Sequence, residues 1–255
     1  MGAIVPGLCS VTFRSLEPEQ LVDLASTSGL RAIEWGADVH IPPGDVRRAA
    51  TVARRCADAG IECRSYGSYY FAARSDDGDL DPLLDSAGAL GASTVRVWAP
   101  GDPADPGGPE REAVVDALAR ASDRADARDL GLAVEFHPGT LTETASSTCR
   151  LLDDVDRLNL STYWQPAPGA GLHESASELR QVLARLAHVH VFAWTRDSSR
   201  LPLSDHARMW SSVLAMVAAN DEATRCAYLE FVARDDPAVL QRDAATLLGL
   251  IGSLP

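Results

Sequence analysis

The chain has 255 residues, 46% of them hydrophobic and 23% charged, which is enough apolar side chain for one large buried core. Its formal net charge of −13 opposes docking along a phosphate backbone, so no nucleic-acid partner is expected, while a small neutral or cationic substrate or a metal ion stays open. Five cysteines (Cys9, Cys56, Cys63, Cys149 and Cys226) form no CxxC pair, and there is no signal-like N-terminus and no apolar run long enough to cross a bilayer; a reduced, cytoplasmic protein with no membrane partner is expected.

Short β-rich runs alternate with longer amphipathic stretches. The first strand is expected at Leu8–Phe13, followed by a helix over Pro18–Ser28 with Leu21, Leu24 and Ala25 at helical spacing. A strand at Ala32–Trp35 leads to a helix over Gly44–Ala59, with Gly60 as its C-terminal cap. Strands then follow at Glu62–Ser65, Thr94–Trp98, Ala133–Phe136, Leu158–Tyr163, His188–Phe192 and Ala227–Phe231. Helices fall at Leu80–Leu90, Glu110–Arg128, Thr142–Asp154, Ser175–Leu186, Ser204–Ala219 and Pro237–Ile251. Glycine closes several helices just before the next strand, as in Leu90-Gly91 and Leu130-Gly131.

Eight strands alternating with eight helices imply a parallel sheet. At this length a closed (β/α)8 TIM barrel, spanning residues 1–255 as a single domain, is favoured over an open doubly wound sheet. No GxGxxG follows the first strand and no GxxxxGK[ST] occurs, which weighs against an open nucleotide-binding sheet. Two irregular segments, Ala99–Pro109 and Gln165–Gly171, follow the fourth and sixth strands and so fall on the face where such barrels carry their sites. The first is read either as an ordinary loop or as a substrate lid.

Polar and metal-capable residues gather where strands end: Glu34, Tyr66, Arg96 with Trp98, Glu135 with His137, Gln165, His188 with His190, and Glu230. Residues two apart on a strand share a face, so Ala133, Glu135 and His137 point one way, as do Tyr228, Glu230 and Val232. Two glutamates aimed into a packed barrel are costly and repel each other, and a divalent cation between them removes both problems. Carboxylates, an imidazole and an amide oxygen suit Mn²⁺, Mg²⁺, Co²⁺ or Zn²⁺ in a partly hydrated site. Such an ion holds two oxygens of a hydroxy-ketone, and a neighbouring carboxylate moves the proton. The competing structural reading pairs the glutamates with Arg96 or Arg64 inside the barrel, and has Glu34 capping a helix or pairing with Arg31.

SVTFR at residues 10–14, IEWGADVH at 33–40, SYGSYY at 65–70, VRVWA at 95–99 and YLEFV at 228–232 resemble, in their order and one per strand end, the xylose isomerase-like TIM-barrel family. The resemblance runs over nearly the whole chain. It implies one divalent ion held by a glutamate after strand five, an aspartate after strand six, a histidine on strand seven and a glutamate on strand eight. These positions fall on Glu135, Gln165, His190 and Glu230. Gln165 is a departure, because it keeps a ligating oxygen but brings no charge. His188 competes with His190, which matches the family position better.

The resemblance further implies that Glu135 and Glu230 are catalytic, trading a proton across the substrate. His137, His40, Asp38, Trp98, Tyr66 and Arg96 would contact the substrate or line the pocket. The implied activity is isomerisation or epimerisation of a small sugar or sugar phosphate through an enediolate, and barrels of this family often pair as homodimers. A lyase or dehydratase on the same scaffold, and a sugar-binding barrel without catalysis, remain as alternatives.

Overall fold

A computed structural model describes residues 2–104 and 107–254 of the chain. Strands β1 (Ile4–Cys9), β2 (Ala32–Gly36), β3 (Glu62–Phe71), β4 (Thr94–Trp98), β5 (Gly131–Val134), β6 (Leu160–Trp164), β7 (Leu186–Val191) and β8 (Arg225–Leu229) are parallel and close into a barrel in chain order. Helices α1 (Pro18–Thr27), α2 (Val46–Asp58), α3 (Leu80–Leu90), α4 (Pro109–Asp126), α5 (Ala145–Val155), α6 (Leu172–Val182), α7 (Ala207–Asn220) and α8 (Pro237–Gly252) each follow one strand. The expected (β/α)8 barrel is therefore the fold. None of the helices described is long and apolar enough to cross a membrane.

Most apolar burial lies between the ring of strands and the helices, where outward-facing Ile33, Trp35, Val95, Val97, Val134, Val189 and Val191 meet the inner helix faces. The interior of the ring differs. Its small cluster holds Cys9, Val11, Ala32, Ala133, Tyr163, Cys226 and Tyr228, and the space above is polar. Large rings are admitted by small partners: a Cβ at Gly7 would stand 2.5 Å from Tyr228 Cδ1.

Several element ends differ from expectation. The first strand starts at Ile4 and stops at Cys9, and Ser10–Phe13 forms a 3₁₀ turn. Side chains divert the backbone there: Ser10 Oγ accepts the Gly36 N–H at 2.8 Å, and Thr12 Oγ1 accepts the Phe231 N–H at 3.0 Å. The third strand runs on to Phe71, with its register to β4 shifting between Gly67 and Phe71. Strands β5, β7 and β8 start and stop about two residues, one or two residues, and two residues earlier than expected. In the loop at Ala99–Pro109, Asp105 and Pro106 lie outside the described residues.

Candidate active site

Parity along the strands puts the polar residues inside the ring. Cys9 is in register with Glu34, Glu34 with Ser65, Gly67 with Arg96, Arg96 with Ala133, and His190 with Tyr228. Glu135 and Glu230 stand one residue beyond their strands. Their backbones still belong to the ring, since the Glu135 N–H donates to the Val97 carbonyl at 3.0 Å and the Glu230 N–H to the Val191 carbonyl at 3.1 Å. Phe231 then takes φ 48°, a conformation uncommon for a bulky residue, which ends the run immediately after Glu230.

At the mouth, His190 is wholly buried between two acidic groups. Its Nδ1 lies 3.0 Å from Gln165 Oε1, 3.7 Å from Glu230 Oε2 and 3.9 Å from Glu135 Oε1. Its Nε2 lies 3.3 Å from Glu34 Oε1. Arg96, also buried, pairs with Glu135 through Nη1 and lies 3.2 Å from Glu34 Oε1 through Nε. Gly67 makes room for this pair, because a Cβ there would stand 2.8 Å from Arg96 Nη2 and 3.1 Å from Glu34 Oε1. Glu34 Oε2 accepts the Ser65 hydroxyl at 2.7 Å, and Ser65 meets the Tyr163 hydroxyl at 2.5 Å.

Electrostatics follow from this packing. Burial alone would push the Glu34 carboxyl up, but Arg96 and His190 beside it outweigh burial and hold it well below the usual carboxylate range. Burial, then the charges of Glu34 and Glu230, push the Cys9 thiol well up. Deeper in the ring, burial takes His188 down to about 3, and its Nδ1 is occupied by the Cys226 N–H at 3.1 Å. That separates the two histidines: His190 faces the carboxylates and His188 braces β8.

The donors fit a divalent ion on two counts. Ligands about 2.1 Å from one ion lie roughly 3 to 4 Å from each other, the spacing found around His190 Nδ1. Formally, the three carboxylates of Glu34, Glu135 and Glu230 against the one guanidinium of Arg96 leave two negative charges in a buried cluster. Such an excess is costly without a counter-charge. Glu34 beside His190 Nε2 is the usual outer partner of a metal-binding imidazole.

The remaining expected residues divide into two groups. Trp98 and His137 form one wall, their rings edge to face at 5.0 Å, with Tyr69 and Phe71 stacked on Trp98. His137 and Gln165 line a cavity of about 220 Å³ together with Phe136, Phe192 and Trp194. Asp38 sits on the rim, paired with Arg14. His40 and Tyr66 lie away from the mouth. Tyr66 has the opposite parity to Ser65, packs under the helices and donates its hydroxyl to the Ile41 carbonyl at 2.6 Å. His40 is buried in the loop after β2, with Nδ1 on the Ser10 hydroxyl at 2.9 Å.

Glu34 was visible as a strand-end acid, but its central place was not. It pairs with neither Arg31 nor a helix end, and its parity with Ala32 and Gly36 was the available signal. Cys9, Ser65 and Tyr163 were not singled out; each follows from the same inside–outside alternation. The inward ion pair considered for Glu135 is real, but Arg96 is shared with Glu34 and leaves Glu230 without an arginine partner among the described residues.

No curated protein sequence matches the chain. Among solved structures, the probable 3-DHS dehydratase AsbF from Bacillus anthracis superposes with a TM-score of 0.77 at 19% identity, covering 97% of this chain and 98% of that one. The 3-keto-D-glucoside 4-epimerase from E. coli, in its apo form, gives 0.72 at 14% identity over 96% and 99% of the two chains. A xylose isomerase-like TIM barrel protein from Mycobacterium smegmatis, in complex with magnesium, gives 0.70 at 15% identity over 98% and 97%. At such identities these likenesses concern the fold. Residues 22–246 match the sequence profile of one family over most of the chain, and by that match the protein belongs to the xylose isomerase-like TIM-barrel family.

Proposed function

We propose that the chain is a divalent-metal-dependent isomerase or epimerase of a small sugar or sugar phosphate, with residues 1–255 as one domain. One observation carries the reading: oxygens of Glu135, Gln165 and Glu230 gather 3.0 to 3.9 Å from His190 Nδ1 inside a cluster with two excess negative charges. Glu135, Gln165, His190 and Glu230 would hold the ion. When bound, it would stabilise negative charge developing on the substrate oxygens.

The chain's own residues supply the proton chemistry. Glu135 follows β5 and Glu230 follows β8, with β6 and β7 between them, so they reach a substrate from two directions. One carboxylate takes the proton beside the carbonyl, giving an enediolate, and the other, having first taken a proton from solvent, returns it to the carbon. Arg96 holds Glu135 in place and keeps a positive charge near the reacting oxygens. Trp98 and His137 offer a wall for an apolar sugar face and a hydrogen bond, and the surrounding rings exclude water. The 255 residues contain no lysine, so no side chain here forms an imine with a ketone, and carboxylate-mediated proton transfer is the route the residues offer.

The test is solvent exchange. Small ketoses incubated in D2O with the protein and Mn²⁺ or Co²⁺ should gain deuterium beside the carbonyl, and a chelator should stop it. Glu135→Gln and Glu230→Gln should each slow exchange by about 100-fold or more. Undiminished exchange in both variants removes the mechanism. Product NMR separates isomerisation from loss of water, the signature of a dehydratase.

A further inference from the structure

Cys9 ends β1 with no exposed surface and with its side chain inside the ring. Two constraints fix it there. Its backbone is in register with Glu34, and the Ser10–Phe13 turn that follows is pinned by Ser10 Oγ to Gly36 and by Thr12 Oγ1 to Phe231. The thiol lies 3.7 Å from Glu34 Oε1. Cys9, His190 and Glu230 each offer a ligand atom, and the three atoms lie within 4.8 Å of one another. His190 and Glu230 also belong to the set that includes Gln165 and Glu135, so the sulfur is part of the same polar cluster.

The donor chemistry gives this placement a consequence. Gln165 contributes a neutral oxygen at the sixth strand, which leaves the set one anionic donor short of three carboxylates or their equivalent. A thiolate at Cys9 makes up that donor from β1, the strand paired with β8. Sulfur also changes the preference of the site: hard oxygen donors suit Mg²⁺ and Mn²⁺, whereas thiolate with imidazole and carboxylate suits Zn²⁺ and Co²⁺.

We propose that Cys9 is itself a ligand to the divalent ion, and that the site therefore selects Zn²⁺ or Co²⁺ over Mg²⁺ and Mn²⁺. This rests on the reading of the mouth as a metal site. As the sulfur–metal bond forms, the S–H bond breaks and its proton passes to solvent; no electron changes hands.

The experiment uses the full chain stripped with chelator and titrated with Co²⁺. The wild type should show the d–d bands of bound cobalt together with a strong near-ultraviolet sulfur-to-cobalt charge-transfer band. Cys9→Ser should keep the d–d bands and lose the charge-transfer band, whereas Cys226→Ser should keep both. Competition with Mn²⁺ should show the Zn²⁺ preference of Cys9→Ser reduced roughly tenfold or more.

X-ray absorption on the zinc-loaded wild type needs no variant and should show one sulfur at about 2.3 Å. Cobalt bound with no charge-transfer band, or zinc with only nitrogen and oxygen neighbours, overturns the role of Cys9 and leaves the metal site standing. No cobalt or zinc bound by the wild type overturns both.

Discussion

At the scale of single residues, the mouth is organised by an arginine rather than around one. Arg96 reaches Glu34 and Glu135 from a strand whose neighbour offers Gly67, and the missing side chain at Gly67 is the space that the guanidinium fills. Gly67→Ala should therefore act through Arg96. Its Cβ would be forced against Arg96 Nη2 and Glu34 Oε1, both buried and neither free to swing into solvent. The expected cost is about 1–3 kcal/mol in thermal or denaturant unfolding, typical of overpacking. Weaker divalent-ion binding should accompany it as Glu135 loses its partner. A variant as stable as the wild type, with unchanged ion affinity, would mean that Arg96 is not held in this position.

The sequence made Glu34 and Arg96 visible as strand-end polar residues, and alternation is enough to turn both inward. It could not reveal their partnership, because the pairing depends on how β2, β3 and β4 stagger against each other. The same limit explains His40 and Tyr66. Both fall just after expected strand ends, but Tyr66 lies within the longer β3 with outward parity, and His40 is drawn to Ser10 by a turn that reads as strand.

At the scale of elements, the order and type of all sixteen helices and strands of the barrel were legible from periodicity and glycine placement, while several strand ends were not. Hydrophobic alternation runs past the last ladder bond at Phe136 and Phe231, so the pattern alone sets no stop there. The stop is made by contacts distant in sequence, such as Thr12 Oγ1 on the Phe231 N–H. The opposite end of the barrel has a comparable anchor. Arg225, buried at the start of β8, bonds Asp221 through two nitrogens at 2.6 and 2.8 Å and the Leu186 carbonyl of β7 at 3.0 Å.

Arg225 bonding and the Ala223 N–H hold the Asp221 carboxyl down at about 2, chiefly through the arginine. A carboxyl whose folded pKa is depressed stabilises the fold above its unfolded pKa, near 3.8. That stability is lost as pH falls from there through about 2. Asp221→Asn should thus lower the unfolding temperature at pH 7 and converge with the wild type over that acid window. Asp221 is 43% exposed, so solvent screening keeps the effect to about 1 kcal/mol or less. Unfolding temperatures that coincide at every pH would show that the Asp221–Arg225 ion pair does not stabilise the start of β8.

At the scale of the whole molecule, a chain of net charge −13 gathers three buried carboxylates at one end of its barrel and balances them with a single arginine there. The fold carries that arrangement as a cost, which is why the response of stability to a divalent ion is informative. Without the ion, carboxylate repulsion opposes folding, so Glu230→Gln, which removes one charge at nearly constant volume, should be at least as stable as the wild type in chelator. With the ion, the order should reverse. A ligand at 100 times its Kd adds about 2.7 kcal/mol to a fold that binds it. For a chain of this size, that corresponds to a rise of roughly 5–10 °C in the wild type. Glu230→Gln should rise far less, having kept a ligating oxygen but lost its charge. Thermal unfolding of both proteins, with chelator and with Zn²⁺ or Mn²⁺, gives all four values. A wild type unmoved by either ion, or a variant that is destabilised in chelator and stabilised equally by metal, would show that the excess charge at the mouth is balanced by something other than a bound cation.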